Sequence, residues 1–131
     1  GFVPYSPLGR GFLTGKYTSN DDFSDKDFRK HNARFSPENL NHNIRLLTTI
    51  EPVAQKYQAT MGQIALAWLL AQYDKLVPIP GTKKLSYLIE NAKAADIVLE
   101  EDDVKFLNHL PNEIQVQGNR YSDEGMKGVN A

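Results

Sequence analysis

The sequence has no cysteine among its 131 residues. That excludes disulfides, thiolate nucleophiles and Cys-type zinc sites, and it favours a reducing, cytoplasmic setting. Charge imbalance is missing too. Fifteen Lys and Arg against 16 Asp and Glu leave a formal charge of −1, so no general affinity for nucleic acid is expected. The longest apolar run, Ile64 to Ala71, has 8 residues, far short of a membrane span. No charged-then-apolar leader opens the chain. Histidine is sparse. His31, His42 and His109 stand apart in polar surroundings, without metal-ligand spacing, and read as surface residues. Ser6 has no Gly-x-Ser-x-Gly frame, which argues against a hydrolase nucleophile. The first residue is Gly1 rather than Met, and a strand-like run follows at once. A core strand with nothing before it suggests a piece of a longer protein.

Apolar residues make up 40% of the chain, enough for one domain with a core. Gly1–Tyr5 and Leu76–Pro80 read as buried strands, the second irregular because of its two prolines. Thr18 to Arg34 is polar and reads as a long surface loop, pinned by Phe23, Phe28 and Phe35. Ser36-Pro37 signals a helix start. Leu40, Ile44, Leu47, Ile50, Val53, Ala54 and Tyr57 then recur at helical spacing, with Pro52 expected to kink or divide the helix. Thr60-Met61-Gly62-Gln63 reads as a capping box opening a well-buried helix to Gln72, with Trp68 in the core. Leu85, Leu88, Ile89, Ala92 and Ala95 give a further helix one apolar stripe. Glu100–Leu110 reads as a short amphipathic helix with Val104, Leu107 and Phe106 inward. Pro111 to Ala131 is polar, a tail or closing loop. Strands alternating with helices imply parallel pairing.

Two glycine-bearing turns follow the two strand-like runs. The first is Tyr5-Ser6-Pro7-Leu8-Gly9-Arg10-Gly11 and the second Pro80-Gly81-Thr82-Lys83-Lys84. Small residues let a backbone approach a ligand closely. The helix start behind the second turn offers free N–H groups to an anion. Lysines there oppose the helix dipole, which points to an anionic partner.

At these turns the chain resembles the aldo-keto reductases. Tyr5–Lys16 is similar to that family's seventh strand and following loop, and Thr60–Gln72 to the helix before its eighth strand. Pro78 to Asn91 is similar to the eighth strand and nucleotide-binding helix, in the branch with Gly-Thr after the strand. The resemblance runs from Gly1 to about Leu110. It implies an α/β fold: the C-terminal portion of a TIM (β/α)8 barrel, strands 7 and 8 with their helices. Residues 1–110 would form those βα units and 111–131 a polar tail. Members bind NADP(H) and reduce aldehydes and ketones. The resemblance implies Tyr5 against the nicotinamide, and Ser6, Leu8, Gly9 and Arg10 along the pyrophosphate. Lys16 and Arg34 add positive charge. Gly81, Thr82 and Lys83 lie at the 2′-phosphate, and Glu90 and Asn91 at the adenosine. Tyr87 stands where members often carry Arg or Gln. It can stack on adenine but cannot neutralise a phosphate. The family's catalytic Asp, Tyr, Lys and His belong to earlier strands, so no catalytic residue is assigned here. The expected partners are a small carbonyl substrate and the N-terminal part of the barrel. Two alternatives remain: a non-catalytic nucleotide-binding or regulatory module on this fold, and a truncated remnant.

Overall fold

A computed structural model describes residues 1–129. Five helices carry the architecture: α1 Pro37–Lys56, α2 Met61–Gln72, α3 Leu85–Lys93, α4 Glu101–Glu113 and α5 Asp123–Met126. Ser36 Oγ caps α1 through the Asn39 N–H, with Pro37 in the first turn. Thr60 and Gln63 form the expected reciprocal box at α2. Pro52 does not divide α1, which runs unbroken through it. Position 52 is exposed, so its ring meets solvent and the helix forgoes one N–H bond. Pro111 likewise sits inside α4, which therefore ends at Glu113 rather than Leu110.

The core lies where α1, α2 and α4 meet. Ile50, Val53 and Ala54 pack there on Ile64, Leu107 and Leu110. Trp68 is only half-buried at its edge, where its indole N–H donates to Asn108 at 2.8 Å. Phe106 is exposed, because Leu107 and Leu110 already fill the inward face of α4. A second cluster fastens the polar segment 18–34 to α1. Phe23 and Phe35 meet edge to face at 5.3 Å beside Leu40. Phe28 takes no part in that cluster. It is exposed and lies under the Arg10 guanidinium at 5.4 Å. The segment is built of short 3₁₀ turns, Asn20–Asp22, Phe28–His31 and Ala33–Phe35, capped by Ser19, Asp27 and Asn32.

The two expected buried strands are absent among the described residues. They shrink to one isolated parallel bridge between Phe2 and Leu76, with Phe2 N–H donating to Lys75 O at 3.0 Å and Val77 N–H to Phe2 O at 2.9 Å. The direction is the parallel one expected. A two-stranded ladder lacks the neighbours that extend a sheet and cover its faces, and Phe2, Val3, Val77 and Ile79 remain exposed. The stripe of α3 is uncovered for the same reason, with Leu85, Leu88 and Ile89 in solvent. The tail turns back. Asn43, buried in α1, donates to Gln117 O at 3.0 Å and accepts from Gln117 N–H at 2.7 Å. Asn130 and Ala131, the end of the expected tail, lie outside the described residues.

Candidate functional site

A groove of about 880 Å³ opens between the two glycine-bearing turns. The first turn contributes Ser6, Leu8, Arg10 and Lys16 to its wall. The second contributes Gly81 and Thr82, and α3 adds Tyr87, Glu90 and Asn91. The local chain path follows from backbone freedom. Gly9, Arg10 and Gly11 all lie in the left-handed region, at φ 58°, 60° and 91°. Gly11 has no alternative, since a Cβ there would come within 2.9 Å of the Tyr17 ring. Ser6 (φ 48°) and Arg10 hold positive φ without being glycine, a conformation that costs free energy and is kept only where the surroundings impose it.

Cations dominate the groove. Lys16, on the groove wall, holds its Nζ 4.3 Å from the Tyr87 ring centroid, and Lys84, outside the wall, holds its Nζ 5.4 Å from it. Arg29, which also lines the groove, is neutralised by Asp27 at 2.7 Å. Hydrogen bonding from Arg29 holds the Asp27 carboxyl below its ordinary range, and the same bond raises Arg29. Among the described residues no side chain caps α3, and its first turn contains no acid, so its leading N–H groups are left without a side-chain partner. Thr82 Oγ1 accepts from the Lys84 N–H at 3.2 Å and sets the turn. Glu90 has a structural tie as well, accepting from the Thr60 hydroxyl at 3.0 Å.

A smaller cavity of about 300 Å³ meets the groove at Ser6 and Arg10. Tyr5, Gly9, Arg34 and Arg120 belong to it alone. The structure thus brings twelve of the thirteen expected cofactor residues to two joined cavities. Lys83 lines neither of them and points its charge into solvent. Tyr5 Oη is 2.7 Å from Tyr121 Oη and accepts from Arg120 Nη1 at 3.1 Å. The bond with Tyr121 is the main influence lowering the Tyr5 phenol, and Arg120 helps; Tyr121 is correspondingly raised. Burial lowers the Arg34 guanidinium, and the charges of Arg120 and Arg10 lower it further.

Sequence reasoning missed two groups. Tyr17, Lys26, Phe28 and Arg29 line the groove from the polar segment, and Arg120 with Tyr121 arrive from the tail. Nothing in a stretch without periodicity marks Arg120. The nearest signal is Gly118, whose φ of 88° lets the chain pass against Ala33 and Arg34.

Known proteins carry the same pattern. The sequence model of the Aldo/keto reductase family matches residues 1–111. An aldo-keto reductase of Schizosaccharomyces pombe, whose name carries NADP(+), is 48% identical over 119 residues, covering 91% of this chain and 35% of its own length. One from Strobilurus tenacellus is 44% identical over 123 residues, covering 94% and 37%. A solved thermostable aldo-keto reductase, bound to the inhibitor epalrestat, aligns at a TM-score of 0.54 and 30% identity over 82% of this chain and 28% of that one. The chain belongs to the aldo/keto reductase family, a family of (β/α)8-barrel oxidoreductases. It spans about a third of the length of these curated relatives.

Proposed function

We propose that this chain is the cofactor-holding end of an NADPH-dependent reductase of aldehydes and ketones, the seventh and eighth βα units of the barrel with their tail. The observation that carries the reading is the groove itself. Two turns with the family's residues line it, with Lys16 and Lys84 gathered at the Tyr87 ring, and the helix after the second turn starts without a side-chain cap. That donor set suits an extended anion carrying several phosphates. NADPH, when bound, supplies hydride to a carbonyl carbon. In this reading Ser6, Leu8, Arg10 and Lys16 hold the pyrophosphate. Gly81, Thr82 and Lys83 take the 2′-phosphate, with Lys84 beside them. Tyr87, Glu90 and Asn91 receive the adenosine. Tyr5 and Gly9 border the nicotinamide end, and Arg34 adds charge there.

In this reading none of these residues donates the proton to the carbonyl oxygen. The chain by itself therefore binds the nucleotide without turning over carbonyls, because proton donation belongs to residues on earlier strands of the family's barrel. Titration of the chain with NADPH and NADH, read by nicotinamide fluorescence, tests the reading. Tighter binding of NADPH is expected. Absence of binding by either nucleotide overturns it.

A further inference from the structure

We propose that Arg34 and Arg120, with the Tyr5 hydroxyl, form an oxoanion subsite that takes the carboxylate of an acid-bearing carbonyl substrate with an aryl or alkyl body. The substrate part of this inference rests on the reductase reading; the subsite itself does not. Arg10, Arg34 and Arg120 all line the 300 Å³ cavity. Among the described residues none of the three has a carboxylate within ion-pair distance, whereas Arg29 nearby is paired with Asp27. Three like charges around a small space repel one another, and an arrangement of that kind is stabilised by an anion between them.

Each guanidinium is held by a neutral group that orients it without cancelling its charge. Arg34 Nε donates to Gly118 O at 3.1 Å, leaving its two terminal nitrogens free. Arg120 Nη1 donates to Tyr5 Oη at 3.1 Å. Arg10 Nη1 donates to Arg120 O at 2.6 Å, and its guanidinium stacks between Phe28 and Tyr121. Planar forks of this kind match a carboxylate in two-point fashion. Phe2, Pro4 and Phe35 give the same cavity apolar lining. A cavity lined by both guanidinium groups and apolar side chains selects an acid carried on a hydrocarbon body over a bare, fully hydrated anion. The wider groove has its own cations for a nucleotide's phosphates, and Arg34 and Arg120 do not line it.

The test is ligand-observed saturation-transfer NMR on the 131-residue chain, with benzoate as probe and benzamide as its neutral counterpart. Benzoate binding is expected, with benzamide about tenfold weaker or absent. Binding should persist when NADPH is present. Inorganic phosphate should compete only weakly. Arg120→Gln should weaken benzoate about tenfold, and Arg120→Lys less, since it keeps the charge but not the fork. Arg120 is exposed, so neither change threatens the core. Failure of benzoate to bind overturns the proposal, as does equal binding in Arg120→Gln. Displacement of benzoate by NADPH also overturns it, because the cluster then serves the nucleotide's phosphates. Benzoate binding without NADPH binding supports the subsite and sinks the reductase reading instead.

Discussion

Tyr87 sits beneath two ammonium groups, Lys16 and Lys84. The negative ring face draws each by about 0.5–1 kcal/mol at an exposed site. That attraction holds Lys84 beside the proposed 2′-phosphate and Lys16 toward the proposed pyrophosphate, so a residue that cannot neutralise a phosphate still organises those that can. Lys16→Ala should weaken NADPH and NADH alike, by about tenfold, because both carry the pyrophosphate, whereas Lys84→Ala should weaken NADPH more than NADH, and higher salt should narrow the gap between cofactors. Lys83→Ala should do less than Lys16→Ala, because Lys83 lies outside the groove wall. Tyr87→Arg should tighten NADPH selectively. Fluorescence titration of both nucleotides decides. Equal losses for the two cofactors in Lys84→Ala would separate that lysine from the 2′-phosphate. The sequence makes Lys16 and Tyr87 legible through the motifs around them. Their stacking is not legible, because 71 positions separate them and only the folded chain sets their angle.

Between elements, two polar joints add to the apolar packing. The first ties α1 to α4: Lys56 Nζ reaches Glu100 at 2.8 Å and Asp103 at 2.7 Å, and Tyr57 Oη donates to Asp103 at 2.5 Å. The Lys56 bond, then that of Tyr57, depresses the Asp103 carboxyl, and Asp103 and then Glu100 raise Lys56. A depressed carboxyl stabilises the fold above its unfolded value of about 4, and that contribution is lost as pH falls through the lower folded value. A raised lysine acts in the other direction, its contribution complete below about 10.4 and lost as pH rises through the higher folded value. Thermal melts of the chain and of Asp103→Asn should therefore converge from about pH 4 downward. A gap that stays constant through that range would remove the Asp103 charge from the account.

The second joint ties α1 to the tail through Asn43, which also donates to Arg34 O at 3.2 Å. Asn43→Ala leaves buried partners unsatisfied and should cost about 2–3 kcal/mol, with amide exchange quickening first around Gln117. Uniform loss of protection across all helices would contradict a local joint. The caps at Ser36 and Thr60 were readable because each signal lies within four residues. Asn43 and Gln117 lie 74 positions apart, and a lone Asn on a helix carries no mark of a distant partner. Pro52 shows the opposite case, where the local rule allows a kink or a break and the helix runs on through one missing bond.

At the scale of the whole molecule, one face is apolar and open. Phe2, Val3, Val77 and Ile79 lie exposed in and beside the single bridge, and Leu85, Leu88 and Ile89 are exposed along α3. Their alternation was legible as strand and helix, since hydrophobic periodicity records which face a residue is meant to bury. What the pattern does not contain is the surface that buries it, so the expected strands shrink here to one bridge. Apolar surface beside an unpaired strand edge promotes association. The 131-residue chain should therefore sediment as oligomers and show weak amide protection at residues 1–5 and 76–80, while α1, α2 and α4 remain protected by their shared core. Replacing Phe2, Val77 and Ile79 together by Ser should shift sedimentation towards the monomer with little loss of helical signal, because none of the three belongs to that core. A compact monomer with a cooperative melt before any substitution would show that the open face needs no cover, and that this chain is sufficient as it stands.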